Sequence, residues 1–72
     1  MDQKTYLNLK KKLLIALRDG MMTPEQVAST VLNIKTKKQL TNLMNTINRM
    51  YSHNEIIPVI VDEEKHLMLV RR

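Results

Sequence analysis

Thr23-Pro24-Glu25-Gln26-Val27-Ala28 and, thirteen residues on from its threonine, Thr36-Lys37-Lys38-Gln39 are two helix starts of the same design. In each, a threonine can accept a hydrogen bond from the backbone amide three residues later, and a glutamine at that position can reach back to the threonine amide. Pro24 strengthens the first start, because its fixed φ suits the first helical position and its missing N–H is not needed there. Val27, Ala28, Val31 and Leu32 then share one face, and Asn33 tolerates the left-handed conformation that ends a helix. The spacing predicts a short helix over 24–33, a connection of three or four residues, and a longer helix over 37–52. Leu40, Leu43, Met44, Ile47 and Tyr51 fall within about 60° of one line on that longer helix, with Met50 at the edge of the stripe.

Working towards the N-terminus, nothing between Gln3 and Asp19 breaks a helix, and Asp19-Gly20 supplies the stop. A first helix over 3–19 is predicted, with Leu7, Leu13, Leu14 and Leu17 on a broad apolar face. Lys10 falls inside that face, and Ile15 falls among Lys4, Asn8, Lys11 and Arg18. Met21-Met22 is a short extended link to the next helix.

Working towards the C-terminus, the pattern beyond Ser52-His53-Asn54 changes to β-branched and aliphatic runs. Strands over 56–61 and 66–71, joined by Asp62-Glu63-Glu64-Lys65, make a hairpin. Pro58 lacks an N–H and belongs on an unpaired edge. The expected faces are Ile57, Val59, Val61, Leu67 and Leu69 against Ile56, Ile60, Met68 and Val70, so both are aliphatic.

The 72 residues hold 21 Leu, Ile or Val among 31 apolar residues, enough to drive collapse into one small domain over 1–72. There is no cysteine, which removes disulfides and thiolate metal sites, so self-association is a natural source of added stability. The longest apolar run, Ile56 to Val61, is far short of the ~20 residues that span a bilayer. Only five apolar residues follow the basic Lys10 to Lys12, too few for a signal peptide, and the cytoplasm is the expected location.

Twelve Lys and Arg face seven Asp and Glu, unevenly. Gln26 to Arg49 holds four cations and no acid, whereas Ser52 to Lys65 holds four acids and one lysine. A concentrated basic segment is the electrostatic footprint of a nucleic-acid binder.

Helix, short link, short helix, tight turn, longer helix and C-terminal hairpin is an order that resembles the winged helix-turn-helix DNA-binding superfamily. The resemblance runs from about Lys4 to Arg72. It rests on Thr23 to Ala28, the turn Asn33-Ile34-Lys35-Thr36, and the hairpin with its turn at Asp62 to Lys65. It is architectural and points to no particular family; Asn33 stands where glycine is commonest, and Ala28 sits one residue early. The fold class expected is α+β, mainly α: a three-helix helix-turn-helix domain with a β-hairpin wing.

The resemblance implies that the 37–52 helix enters the major groove of duplex DNA. Opposite its apolar stripe lie Lys38, Asn42, Asn45 and Arg49, flanked by Thr41, Thr46, Asn48 and Ser52. Asparagine can bond bidentately to adenine and arginine to guanine, while threonine can pack its methyl on thymine. Lys35, Lys37 and Lys38 suit phosphate. The expected DNA-binding set is Lys35, Thr36, Lys37, Lys38, Thr41, Asn42, Asn45 and Arg49. Three asparagines on an exposed helix face run against helix propensity, which favours a functional reason for them. The expected function is a sequence-specific duplex-DNA-binding regulator of transcription or of a mobile element, dimeric through the second hairpin face and Ile15.

Asp62, Glu63 and Glu64 make the wing tip acidic and unsuited to DNA. That supports the alternative, a small protein-binding adaptor or inhibitor that uses the acidic, two-sided aliphatic hairpin. Catalysis has no motif behind it. His53 and His66 lie on different elements with no cysteine, so no metal or other cofactor is expected. Tyr6 and Tyr51 are the only aromatics, too few for the stacking platform that single-stranded nucleic acid needs.

Overall fold

The structure, a computed structural model, describes residues 2–70. It is mainly helical, with three helices and a C-terminal antiparallel hairpin. Helix α1 spans Gln3–Ala16 and closes in a 3-10 turn, Leu17–Asp19. Helix α2 begins at Pro24–Gln26 and runs on into a π-helical turn, Val27–Val31. Helix α3 is Lys37–Ser52, and strands β1 and β2 are Ile56–Val61 and Glu64–Leu69. No helix among the described residues is long and apolar enough to cross a membrane.

Local chemistry sets these boundaries. The Asp2 carboxylate caps α1 by accepting from the Thr5 amide at 2.8 Å, which holds its pKa below the usual carboxylate value. Gly20, at φ 154°, takes a backbone conformation that side-chain-bearing residues rarely adopt, and so releases the chain from α1. Both capping boxes form. The Gln26 amide donates to the Thr23 hydroxyl at 3.1 Å and the Thr23 amide to the Gln26 side chain at 2.9 Å. At α3 the Gln39 side-chain oxygen accepts from both the Lys35 and Thr36 amides, at 3.0 and 3.2 Å.

The second half of α2 widens for a reason visible in its side chains. Ser29 and Thr30 donate their hydroxyls to the carbonyls of Glu25 and Gln26, competing with the backbone for those acceptors. The Leu32 amide then bonds to the Val27 carbonyl, five residues back, at 3.0 Å. Asn33 ends the helix at φ 51°.

The hairpin differs from the sequence expectation in turn, register and faces. Its turn is two residues, Asp62 and Glu63, with φ 51° and 66°, so Val61 pairs with Glu64 and β2 covers Glu64–Leu69 rather than 66–71. Positive φ at both central positions is the mirror-image turn whose twist matches a hairpin. Arg71, expected to end the second strand, lies outside the described residues. Ile56, Pro58 and Ile60 face the same way as Leu69, Leu67 and Lys65, while Ile57, Val59 and Val61 share the other face with Met68, His66 and Glu64. Directly paired residues of an antiparallel ribbon share a face, so Met68 joins Ile57 while Leu67 and Leu69 join Ile56, the reverse of the grouping expected.

The link between α1 and α2 also pairs with the sheet. Met22 and Leu67 exchange both backbone hydrogen bonds, the Met22 amide donating to Leu67 at 3.2 Å and the Leu67 amide to Met22 at 2.6 Å. With Leu67 so occupied, its β1 partner Pro58 sits at a non-hydrogen-bonded pair, and the missing N–H falls on the outer edge.

The core gathers Tyr6, Leu13 and Leu17 of the first helical segment, Val27, then Leu43, Ile47 and Met50 of α3, with Ile56 and Leu67 from the hairpin. Leu7 is exposed, contrary to expectation, and Tyr6 takes the inward position. Lys10 is half-buried and reaches Glu55 at 2.9 Å, an ion pair that ties α1 to the start of β1.

Candidate nucleic-acid interface

Helix α3 is rolled about its axis relative to the stripe read from its sequence, by roughly 60° at about 100° per residue. The buried residues are Leu43, Thr46, Ile47 and Met50, whereas Leu40 and Met44 are exposed and Tyr51 is half-buried. On the flank to which the helix has rolled, α3 meets α1: Asn42 lies beside Thr5, Leu9 and Lys12, and Arg49 over the Tyr6 ring. Thr46, expected beside the reading face, is instead fully buried with its hydroxyl donating to the Asn42 carbonyl at 2.8 Å.

The roll divides the expected DNA-binding set. Lys37, Lys38, Thr41 and Asn45 are exposed, and with Asn48 and Ser52 they form a continuous polar arc opposite the buried stripe. No acid lies on α3 at all. Asn42 has turned towards α1 and is half-buried, lining a cleft of about 220 Å³ with Thr5, Leu9, Lys12, Leu32, Ile34 and Gln39. Arg49 is exposed overall, yet its guanidinium lies 3.9 Å from the centroid of the Tyr6 ring. Lys35 and Thr36 are exposed just before α3, with the Thr36 hydroxyl committed to the Gln39 amide at 3.2 Å.

The start of α3 is electrostatically unusual. Helix N-termini favour acids, and α2 obeys with Glu25 in its first turn, but α3 has no acid there and carries Lys37 and Lys38. Lysines on the positive end of the helix dipole are mildly unfavourable in the free chain, and an anion arriving there relieves both effects.

On the other side of the arc, Leu40 and Met44 line an apolar groove with Pro24, Ala28 and Ile34, bordered by Glu25, Glu64 and Lys65. Lys65 leans inward, its ammonium 5.7 Å from the Tyr51 ring centroid. Among the described residues no group of three or more His, Cys, Asp or Glu comes together to hold a metal ion.

Asn48 and Tyr6 are the residues whose importance the sequence reading understated. Asn48 sits near the middle of the arc, and its position follows once the roll of α3 is known. Tyr6 has no sequence signal as a partner for Arg49, because the contact joins two helices far apart in the chain.

Three helices with a terminal antiparallel hairpin define the fold class, α+β and mainly α. No protein-family model, curated protein or solved structure matches the chain.

Proposed function

We propose that the chain is a sequence-specific binder of duplex DNA, acting as a regulator of transcription or of a mobile element by occupying a site rather than by chemistry. The single observation that carries this reading is the exposed arc of Lys37, Lys38, Thr41, Asn45, Asn48 and Ser52, free of acids and not covered by the hairpin. An α-helix of this length fits the major groove, where asparagine and threonine can read base edges. Lys35, Lys37 and Lys38 would hold phosphate and fix the register. Such a regulator is assigned to the cytoplasm.

Selection of bound sequences from a random duplex pool tests the reading. Recovery of a common motif that Asn45→Ala weakens or alters supports it. Unselective retention that survives Asn45→Ala at every salt concentration overturns it.

The adaptor reading draws on a different surface, the outer hairpin face, where Ile57 is exposed, Val59, Val61 and Met68 are half-buried, and Ile57 and Met68 line a cleft with Gly20 and Met21. It predicts a co-purifying protein lost on Ile57→Asp, with no motif recovered from the DNA pool.

A further inference from the structure

From Gln3 to Arg18 the chain carries five cations and no acid. Lys4, Lys11 and Arg18 are spaced by heptads, so they fall near one line, roughly 10.5 Å apart at about 1.5 Å rise per residue. Tyr6, Leu13 and Leu17 are buried on the opposite side, which makes this line the outermost part of the helix. Leu7 and Ile15 flank it, 49% and 54% exposed. With Lys10, Lys11, Leu14 and Arg18 they line a shallow groove of about 410 Å³.

The hairpin tip is the chemical complement of this surface. Three of the seven acids of the chain are Asp62, Glu63 and Glu64, all exposed at the turn. Ile60, just before them, is 67% exposed, the highest value among the exposed large hydrophobic residues described. Lys65 does not neutralise the tip, since its ammonium lies over Tyr51. Among the described residues the ion pairs are Lys10 with Glu55 and His53 with Glu55, and they include neither the outer cations of α1 nor the carboxylates of the tip.

We propose that the acidic, aliphatic tip of one copy docks on the basic, aliphatic outer face of α1 of a second copy. Each surface offers the charge that the other lacks, and both carry exposed aliphatic side chains. Pairing α1 with α1, or tip with tip, would oppose like charges, so the contact joins two different surfaces. DNA phosphate could neutralise Lys4, Lys11 and Arg18 but would leave Leu7, Ile15 and the tip unmatched. An anionic bilayer could receive Leu7 and Ile15, but the inner side of α1 belongs to the core and the acidic tip would be repelled. This contact stands independently of the DNA reading.

A contact of one turn on one helix is small, so it belongs to the weak class that forms at roughly millimolar protein. Sedimentation of the whole chain should show an average mass that rises with concentration at about 0.1 M salt. It should fall back towards a single chain at about 1 M, where the screening length drops to about 3 Å. The double variants Lys11→Glu with Arg18→Glu, and Glu63→Lys with Glu64→Lys, should each lower association by more than about tenfold, because like charges then meet. Mixed in equal amounts they should associate again, since acidic tips meet basic helices and basic tips meet acidic helices. Unchanged circular dichroism will establish that both variants are folded, and glutamine at the same positions provides a milder pair. A wild-type chain that stays single at low salt overturns the proposal. So does a variant that associates like wild type, or a mixture that stays apart while wild type associates.

Discussion

The Arg49 guanidinium lies 3.9 Å from the centroid of the Tyr6 ring, joining the flank of α3 to a core residue of α1. A planar cation over an aromatic face gains about 0.5–1 kcal/mol when exposed and more when water is excluded, and the arginine stem adds packing. Arg49→Ala should therefore destabilise the fold by about 1 kcal/mol, and Arg49→Lys should recover only part, lacking the planar fork. The Tyr6 hydroxyl is buried with no hydrogen-bond partner among the described residues. Tyr6→Phe keeps the ring and should be neutral or slightly stabilising. Urea unfolding measures all three. An Arg49→Ala chain with the wild-type midpoint would mean that the stack does not form in solution.

Glu63 occupies the hairpin turn at φ 66°, immediately after Asp62 at φ 51°. Aspartate tolerates that conformation, but glutamate gains nothing there, and the left-handed region costs a side-chain-bearing residue about 1–2 kcal/mol. Asp-Gly is the favoured pair for this turn. Glu63→Gly should raise stability by about 0.5–1 kcal/mol, part of the relief being returned as extra freedom of the unfolded chain. Thermal unfolding gives the answer, and a lower midpoint would contradict the two-residue turn.

The parts of the fold legible in the sequence are those written in short-range chemistry. Thr23 with Gln26, and Thr36 with Gln39, each state a helix start within four residues, and both boxes form. Asn33 marks a stop in the same local way. What could not be read depends on distant contacts. The roll of α3 goes with its packing on α1, where Asn42 and Arg49 meet Leu9 and Tyr6. Leu40 and Met44 could turn inward with almost equal gain, since they are as apolar as the Met50 that displaced them. The hairpin register is hidden for another reason: Asp62-Glu63 is not the glycine-containing pair that announces a two-residue turn, so the sequence points to a four-residue loop. In the candidate interface, Thr41 and Asn45 keep their expected exposure because they lie near the middle of the polar arc. Asn42 and Arg49 lie at its edge, where a modest rotation meets α1.

Burial raises the Tyr51 phenol above its ordinary value of 10.0. A raised pKa means that the folded chain holds the proton more tightly than the unfolded chain does. The stability linked to it is thus fully present below about pH 10 and is lost as pH climbs through the folded value. Tyr51→Phe removes that proton altogether. The difference in unfolding free energy between wild type and Tyr51→Phe should be flat from neutral pH to about pH 9.5, then move against wild type above it. A difference that stays constant through the alkaline range would show that the phenol is as hydrated folded as unfolded.

If α3 lies in the major groove, the roll of the helix separates two asparagines that the sequence treats alike. Asn45 is exposed on the arc, whereas Asn42 is half-buried in the cleft against α1. Asn45→Ala should then weaken binding to a selected duplex by about 1–3 kcal/mol and relax base preference at one position, the signature of a lost base-edge contact. Asn42→Ala should leave base preference unchanged. Lys38→Ala should weaken all duplexes alike and lower the slope of log K against log salt by about 1, from about 4 to 5 if four or five phosphates are neutralised. Fluorescence anisotropy on the selected duplex and on a scrambled one, each titrated with salt, distinguishes these effects. Equal losses for Asn42→Ala and Asn45→Ala would mean that α3 does not meet DNA in the orientation its exposed arc requires.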